Sequence, residues 1–151
     1  MLQHGSCAER DGAGVLLLGP PGAGKSDLLL RLTGEGWRLV ADDQVLLRAE
    51  GDALHAAAPD SLRGMIELRG IGLMAGLDSV PGAPLALAVD CVPQGVVPRL
   101  PEPARFEALG RVLPRIALHA LDASAPRKIA LAMEALAGRI TCRCGALERA
   151  S

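Results

Sequence analysis

LLLGPPGAGKSD, residues 16–27, decides the fold. An apolar run enters a loop of glycines and prolines that ends in Lys25 and Ser26. Every fixed position of G-x-x-x-x-G-K-[ST] is met between Gly19 and Ser26. Glycines in such a loop let successive backbone N–H groups turn inward around phosphate oxygens. A helix beginning near Gly24 points its positive end at the same spot. Lys25 is placed to neutralise phosphate charge, and the Ser26 hydroxyl to ligate Mg²⁺. The stretch Gly19, Pro20, Pro21, Gly22, Ala23, Gly24, Lys25 and Ser26 is therefore expected to cradle a nucleotide's phosphates.

Outward from the loop, Val15 to Leu18 reads as a buried strand and Ser26 to Thr33 as a helix closed by Gly34 and Gly36. Trp37 to Ala41 and Gln44 to Ala49 read as strands. Gly51-Asp52 is a turn leading to a strand at Ala53 to Ala57, so Gln44 to Ala57 is a hairpin and not part of a βαβ unit. Strands are also expected at Met65 to Leu68, Pro84 to Val92 and Ile116 to Leu121, with an exposed proline-rich loop over 93–103. Ser124 and Pro126 open a late helix whose apolar residues Ile129, Ala132, Met133 and Leu136 share one face, and Gly138 ends it. The tail after Thr141 shows no clear pattern. The expected fold is a single α/β domain over 1–151, a P-loop kinase core with a mixed parallel and antiparallel sheet flanked by helices. Residues 142–151 are expected to form a disordered tail.

Of the 151 residues, half are hydrophobic, yet one is Phe, one is Trp and none is Tyr. The core must be aliphatic, and stacking platforms for single-stranded nucleic acid are nearly absent. A net charge of −1 leaves no footprint for duplex binding. No run of 18 apolar residues and no apolar signal core occur, so the expectation is a cytoplasmic protein with neither nucleic acid nor membrane as partner. Cys142 and Cys144 form a C-x-C with one residue between, whereas zinc ligands usually have two to four residues between them and come in two pairs. Reduced thiols are the expectation for these and for Cys7 and Cys91.

A phosphate loop needs a carboxylate at a neighbouring strand end for Mg²⁺ or its water. Asp90 ends the apolar run 85–89, and Asp42-Asp43 follows Arg38 to Ala41. Adjacent acids on an extended chain point to opposite faces, so one can face the phosphates while the other makes a structural contact. Spacing alone leaves the choice between Asp90 and the Asp pair open.

Taken together, His4-Gly5, the loop 19–26, Leu39-Val40-Ala41-Asp42-Asp43 and Ile66-Glu67-Leu68-Arg69-Gly70-Ile71-Gly72 resemble the catalytic domain of the HPr kinase/phosphorylases. The resemblance is strongest from residue 4 to about 74. It implies transfer of phosphate from ATP, or from pyrophosphate, to a serine of HPr or an HPr-like phosphocarrier of the phosphotransferase system. It implies Asp43 as general base, His4 as its helper, and Lys25 on the transferring phosphoryl group. Ser26, Asp42 and Glu67 are then the metal residues. It further implies a homo-oligomer, a hexamer, and a short form comprising the catalytic domain alone.

Two motifs of the family are altered here. Its catalytic arginine falls on Ala108, with Arg105 and Arg111 on either side, and of its P-V-R-P-G-R motif, matched to 122–127, only Arg127 survives. The kinase direction is thus expected over the phosphorylase direction. Two other readings are kept: a small-metabolite kinase with a lid bearing Arg99, Arg105 and Arg111, and a nucleotide-sensing P-loop module without turnover.

Overall fold

The computed structural model describes residues 1–149. Its first residues form two strands that composition does not announce, β1 (Leu2–His4) and β2 (Ser6–Arg10). β2 looks polar because it buries polar residues, Ser6 and Glu9 among them. Asp11-Gly12 links it to β3 (Ala13–Leu18) as a two-residue hairpin loop with φ of 55° and 82°. That is the backbone a type I′ turn requires.

The phosphate loop follows β3 and runs into α1 (Lys25–Thr33). The next strands are β4 (Arg38–Ala41), β5 (Gln44–Glu50) and β6 (Ala53–Ala57). β5 and β6 pair antiparallel, as the turn at Gly51-Asp52 leads one to expect. β7 (Met65–Leu68) and β8 (Gly72–Ala75) form a separate two-stranded hairpin. The long β9 (Gly82–Cys91) is followed by the proline-rich segment, then by β10 (Ala104–Ala108), β11 (Arg111–Leu118) and α2 (Ala125–Leu136). Ser124 precedes α2 as expected, but its hydroxyl makes no capping bond.

Among the described residues, nine strands form one sheet in the order β1-β5-β6-β9-β3-β2-β4, with β11 also on β9 and β10 on β11. β9 runs parallel to β3 and β11 and antiparallel to β6. The sheet is thus mixed and flanked by helices, an α/β fold as expected. The outer edge of β4 is partly covered, because Leu39 exchanges backbone hydrogen bonds with Asp78 and Val80.

β3 shows why a run of leucines was needed. Successive strand residues face opposite sides. Val15 and Leu17 pack with Leu28, Leu29 and Leu32 of α1 and Ile129 of α2. Leu16 and Leu18 pack on the other side with Val45, Leu47, Leu54, Phe106 and Leu113 of the remaining strands. Both faces of β3 are therefore buried. Within the stretch expected as a tail, Leu147 packs against the helix-side core. Ala150 and Ser151 lie outside the described residues. Among the described residues no helix is long and apolar enough to cross a membrane.

Candidate active site

The loop geometry follows from its glycines. Gly19, Gly22 and Gly24 all have positive φ, at 147°, 84° and 92°. A Cβ at Gly19 would lie 2.9 Å from the Cys91 carbonyl oxygen, so only glycine fits there. A Cβ at Gly24 would press on Ala120 and Leu121, which shows how closely the β11–α2 loop backs the cradle. Arg31 of α1 ties that loop down by donating to the Ala120 and Asp122 carbonyl oxygens. Lys25 is buried, and its ammonium donates to the Gly19 and Pro20 carbonyl oxygens at 2.5 and 2.9 Å. It thus lies folded along the loop that it would leave for a phosphate.

Asp42 and Asp43 form the bend between β4 and β5, where the backbone is not extended. Asp43 has φ of 70°, in the left-handed region where aspartate is among the few tolerated side chains. Asp42 turns toward the phosphate loop. One of its oxygens accepts from Ser26 Oγ at 2.8 Å and from Ser6 Oγ at 3.3 Å. The other accepts from the Glu67 backbone N–H at 3.4 Å. Asp43 has its Oδ1 at 3.6 Å from His4 Nδ1, both side chains about half exposed or more.

The junction of β1 and β2 holds this bend. Gly5 N–H donates to the Asp43 carbonyl oxygen at 3.0 Å, and Asp43 N–H donates to Ser6 Oγ at 3.3 Å. Three consecutive residues, His4, Gly5 and Ser6, thereby grip Asp43 through its carboxylate, its carbonyl and its amide. Nothing local in the sequence marks Ser6 for this part.

The rival acid is committed elsewhere. Asp90 accepts two hydrogen bonds from Arg115, at 2.6 and 2.8 Å. The Arg115 guanidinium also lies over Phe106, 5.7 Å from the ring centre. A carboxylate locked in a bidentate pair is poorly disposed to serve a metal. Of the two strand ends, the Asp42-Asp43 bend is bonded to the phosphate loop through Ser26, whereas Asp90 is paired with Arg115.

The other expected residues are less gathered. Glu67 reaches Asp42 through its backbone, and its side chain is exposed. Arg127 lies exposed on α2 and, among the described residues, takes part in no hydrogen bond or ion pair with the cradle or the Asp bend. Ala108 is buried at the end of β10, before a tight turn at Leu109-Gly110 with φ of 52° and 73°. Arg111 donates to the Gly51 carbonyl oxygen at 3.0 and 2.6 Å, on the β5–β6 turn. Arg105 and Arg111 therefore sit in a hairpin, not in a lid.

Among the described residues no three His, Cys, Asp or Glu side chains gather to hold a metal. Mg²⁺ does not need such a group, since it usually keeps several waters and takes one or two carboxylates plus phosphate oxygens. The Ser26 hydroxyl and Asp42 carboxylate, 2.8 Å apart beside the glycine cradle, are a fitting pair of hard oxygen donors.

The family described as HPr Serine kinase C-terminal domain matches residues 1–80. An HPr kinase/phosphorylase of Caldanaerobacter subterraneus subsp. tengcongensis is 50% identical over 72 residues, covering 47% of this chain and 24% of that protein. One from Peptoclostridium acidaminophilum is 47% identical over 72 residues, covering 47% of this chain and 23% of the relative. The aligned stretch thus spans about a quarter of the length of these curated relatives. The solved structure of the Hpr(Ser) kinase/phosphatase from Coxiella burnetii is 29% identical and superposes with a TM-score of 0.75, covering 89% of this chain and 99% of that one.

Proposed function

Because the chain belongs to the HPr serine kinase C-terminal domain family, we propose that it is a protein serine kinase. It takes the terminal phosphoryl group of ATP and places it on a serine of HPr or an HPr-like phosphocarrier. Pyrophosphate is a second donor of the same chemistry. The observation that carries this reading is the Asp42-Asp43 bend, bonded to the phosphate loop through Ser26 while Asp90 is locked by Arg115.

Each residue has one task. The loop amides between Gly19 and Ser26 surround the phosphate oxygens. Lys25 moves from its own loop carbonyls to the transferring phosphoryl group and offsets its charge. Ser26, Asp42 and Glu67 are the residues that would hold Mg²⁺, which when bound would supply positive charge to the phosphate oxygens. Asp43 receives the proton of the acceptor serine as that oxygen attacks the terminal phosphorus in line and the bond to the leaving phosphate breaks. His4 orients Asp43. Arg127 joins the site in the family pattern.

The acceptor is a protein, and the exposed Ile71 and Leu73 on the β7–β8 hairpin support docking beside the cradle. The kinase direction is favoured, since Ala108 is buried and Arg111 is bonded to Gly51. Homo-oligomerisation, as a hexamer, completes the proposal and is read by light scattering on the eluted protein.

The test is labelled ATP with purified HPr, comparing wild type with Asp43→Asn. Label is expected on a carrier serine, and the variant should lose at least about 10²-fold in rate. Equal rates in the two proteins would refute Asp43 as base. Transfer to small-molecule acceptors and none to HPr would refute the protein substrate.

A further inference from the structure

Ser6 is a fully buried polar residue in a strand, and its hydroxyl touches both acids of the bend. It donates to Asp42 Oδ1 at 3.3 Å and accepts from the Asp43 N–H at 3.3 Å. We propose that Ser6 is a positioning residue that sets the two aspartates for their separate tasks. The inference rests on the roles given above to Asp42 and Asp43, and it goes beyond them by naming what holds those side chains apart.

The physical case has three parts. A hydroxyl has one proton and two lone pairs, and here the proton goes to one acid and a lone pair to the next residue's amide. That arrangement fixes which way each residue faces. The left-handed φ of Asp43 is an uncommon backbone state that persists only when the surroundings over-determine it. Gly5 and Ser6 supply that restraint from both sides of the Asp43 backbone. Lastly, Asp42 Oδ1 is shared by Ser6 and Ser26, so Ser6 aligns the carboxylate with the hydroxyl that completes the cation pair. Its own side chain is fully buried and does not touch the reacting atoms.

Ser6→Ala removes both bonds and leaves the Asp43 N–H without its acceptor. A hydrogen bond at the upper end of the usual range contributes about ten-fold to an equilibrium, and each readout senses the loss of one bond, so each is expected to fall about ten-fold. Two readouts are used on the whole chain. Mn²⁺ binding in the presence of ADP, followed by electron paramagnetic resonance, reports Asp42 without any turnover. Steady-state transfer to HPr reports Asp43.

Ser6→Ala should weaken Mn²⁺ binding and lower kcat, each about ten-fold, and leave the KM for ATP nearly unchanged, since the glycine cradle is untouched. Ser6→Thr, which keeps the hydroxyl, should recover most of both losses. A folded Ser6→Ala protein with wild-type Mn²⁺ affinity and wild-type kcat overturns the inference while leaving the kinase reading intact. Should wild type transfer no phosphate to HPr, the kinase reading fails, and the Mn²⁺ comparison alone decides Ser6. Ser6→Cys, of nearly the same shape with weaker hydrogen bonding, serves if the alanine variant does not fold; wild-type Mn²⁺ affinity in it equally overturns the inference.

Discussion

Replacing Gly5 with alanine tests the grip on Asp43 by steric means alone. An ideal Cβ at Gly5 falls 2.7 Å from the Leu17 carbonyl oxygen, 3.4 Å from Leu18 Cδ2 and 3.7 Å from Leu16 Cδ1. Close carbon–oxygen contacts in proteins lie near 3.3–3.6 Å, so the two atoms must part by roughly 0.6–0.9 Å. Leu17 cannot yield readily, because β3 is hydrogen-bonded to β2 on one side and β9 on the other. The shift therefore falls on His4, Gly5 and Ser6. Overpacking of this kind costs about 1–3 kcal/mol. For a chain of this size, 2 kcal/mol is a fall in Tm of about 4–8 °C. A displacement near 1 Å at the reacting groups also costs about 10²-fold in rate. The assay pairs thermal unfolding with phosphoryl transfer to HPr. Gly12→Ala is the control: its φ is +82° with nothing within 4 Å, so strain of about 1 kcal/mol arises far from any site contact. Gly5→Ala should lose both stability and rate, and Gly12→Ala stability alone. A Gly5→Ala protein with wild-type Tm and wild-type rate would refute the steric reasoning.

Glu9 is almost fully buried, and the Arg38 hydrogen bond, joined by one from Gly12 N–H and opposed by burial, holds its carboxyl below the ordinary value of 4.5. A lowered folded pKa adds stability that is complete above the unfolded value and is lost as pH falls through the folded one. Glu9→Gln should therefore cost about 2 kcal/mol at pH 7, and urea unfolding should show the gap closing in acid; a gap that is constant with pH would refute the charge pairing. Burial raises the thiol of Cys7, and pushes that of Cys91 up to about 11, with Asp90 adding and Lys25 and Arg31 opposing. Cys142 is partly exposed and Cys144 exposed, so a thiol reagent at pH 8 should label two cysteines quickly and all four only in denaturant. Four fast thiols in the native protein would contradict the packing.

The phosphate loop was legible because its chemistry depends on residue types at fixed spacing. The pairing of acids was legible too, but not their pose, since φ of 70° at Asp43 comes from contacts with residues 37 and more positions earlier. Asp90 looked available because its partner Arg115 is 25 residues away and arrives through the parallel register of β9 and β11. β2 escaped hydrophobic patterning because Ser6 and Glu9 are inside, and β1 because it is three residues long with Leu2 and His4 exposed. Asp11-Gly12, a strong short-range hairpin signal, was the clue that they existed. Leu109-Gly110 carries no such clue, because leucine rarely adopts a positive φ.

The place of β9 in the sheet has a bearing on how the protein is made. Remove it from the order β1-β5-β6-β9-β3-β2-β4 and two separate three-stranded pieces remain. One carries His4, the other leads into the phosphate loop, and the aspartates sit on the bend joining them. A nascent chain thus displays every assigned residue up to Glu67 before the strand that unites them, 82–91, has left the ribosome. Such distant pairings close late, so the two pieces and the bend between them are joined only after β9 has been made.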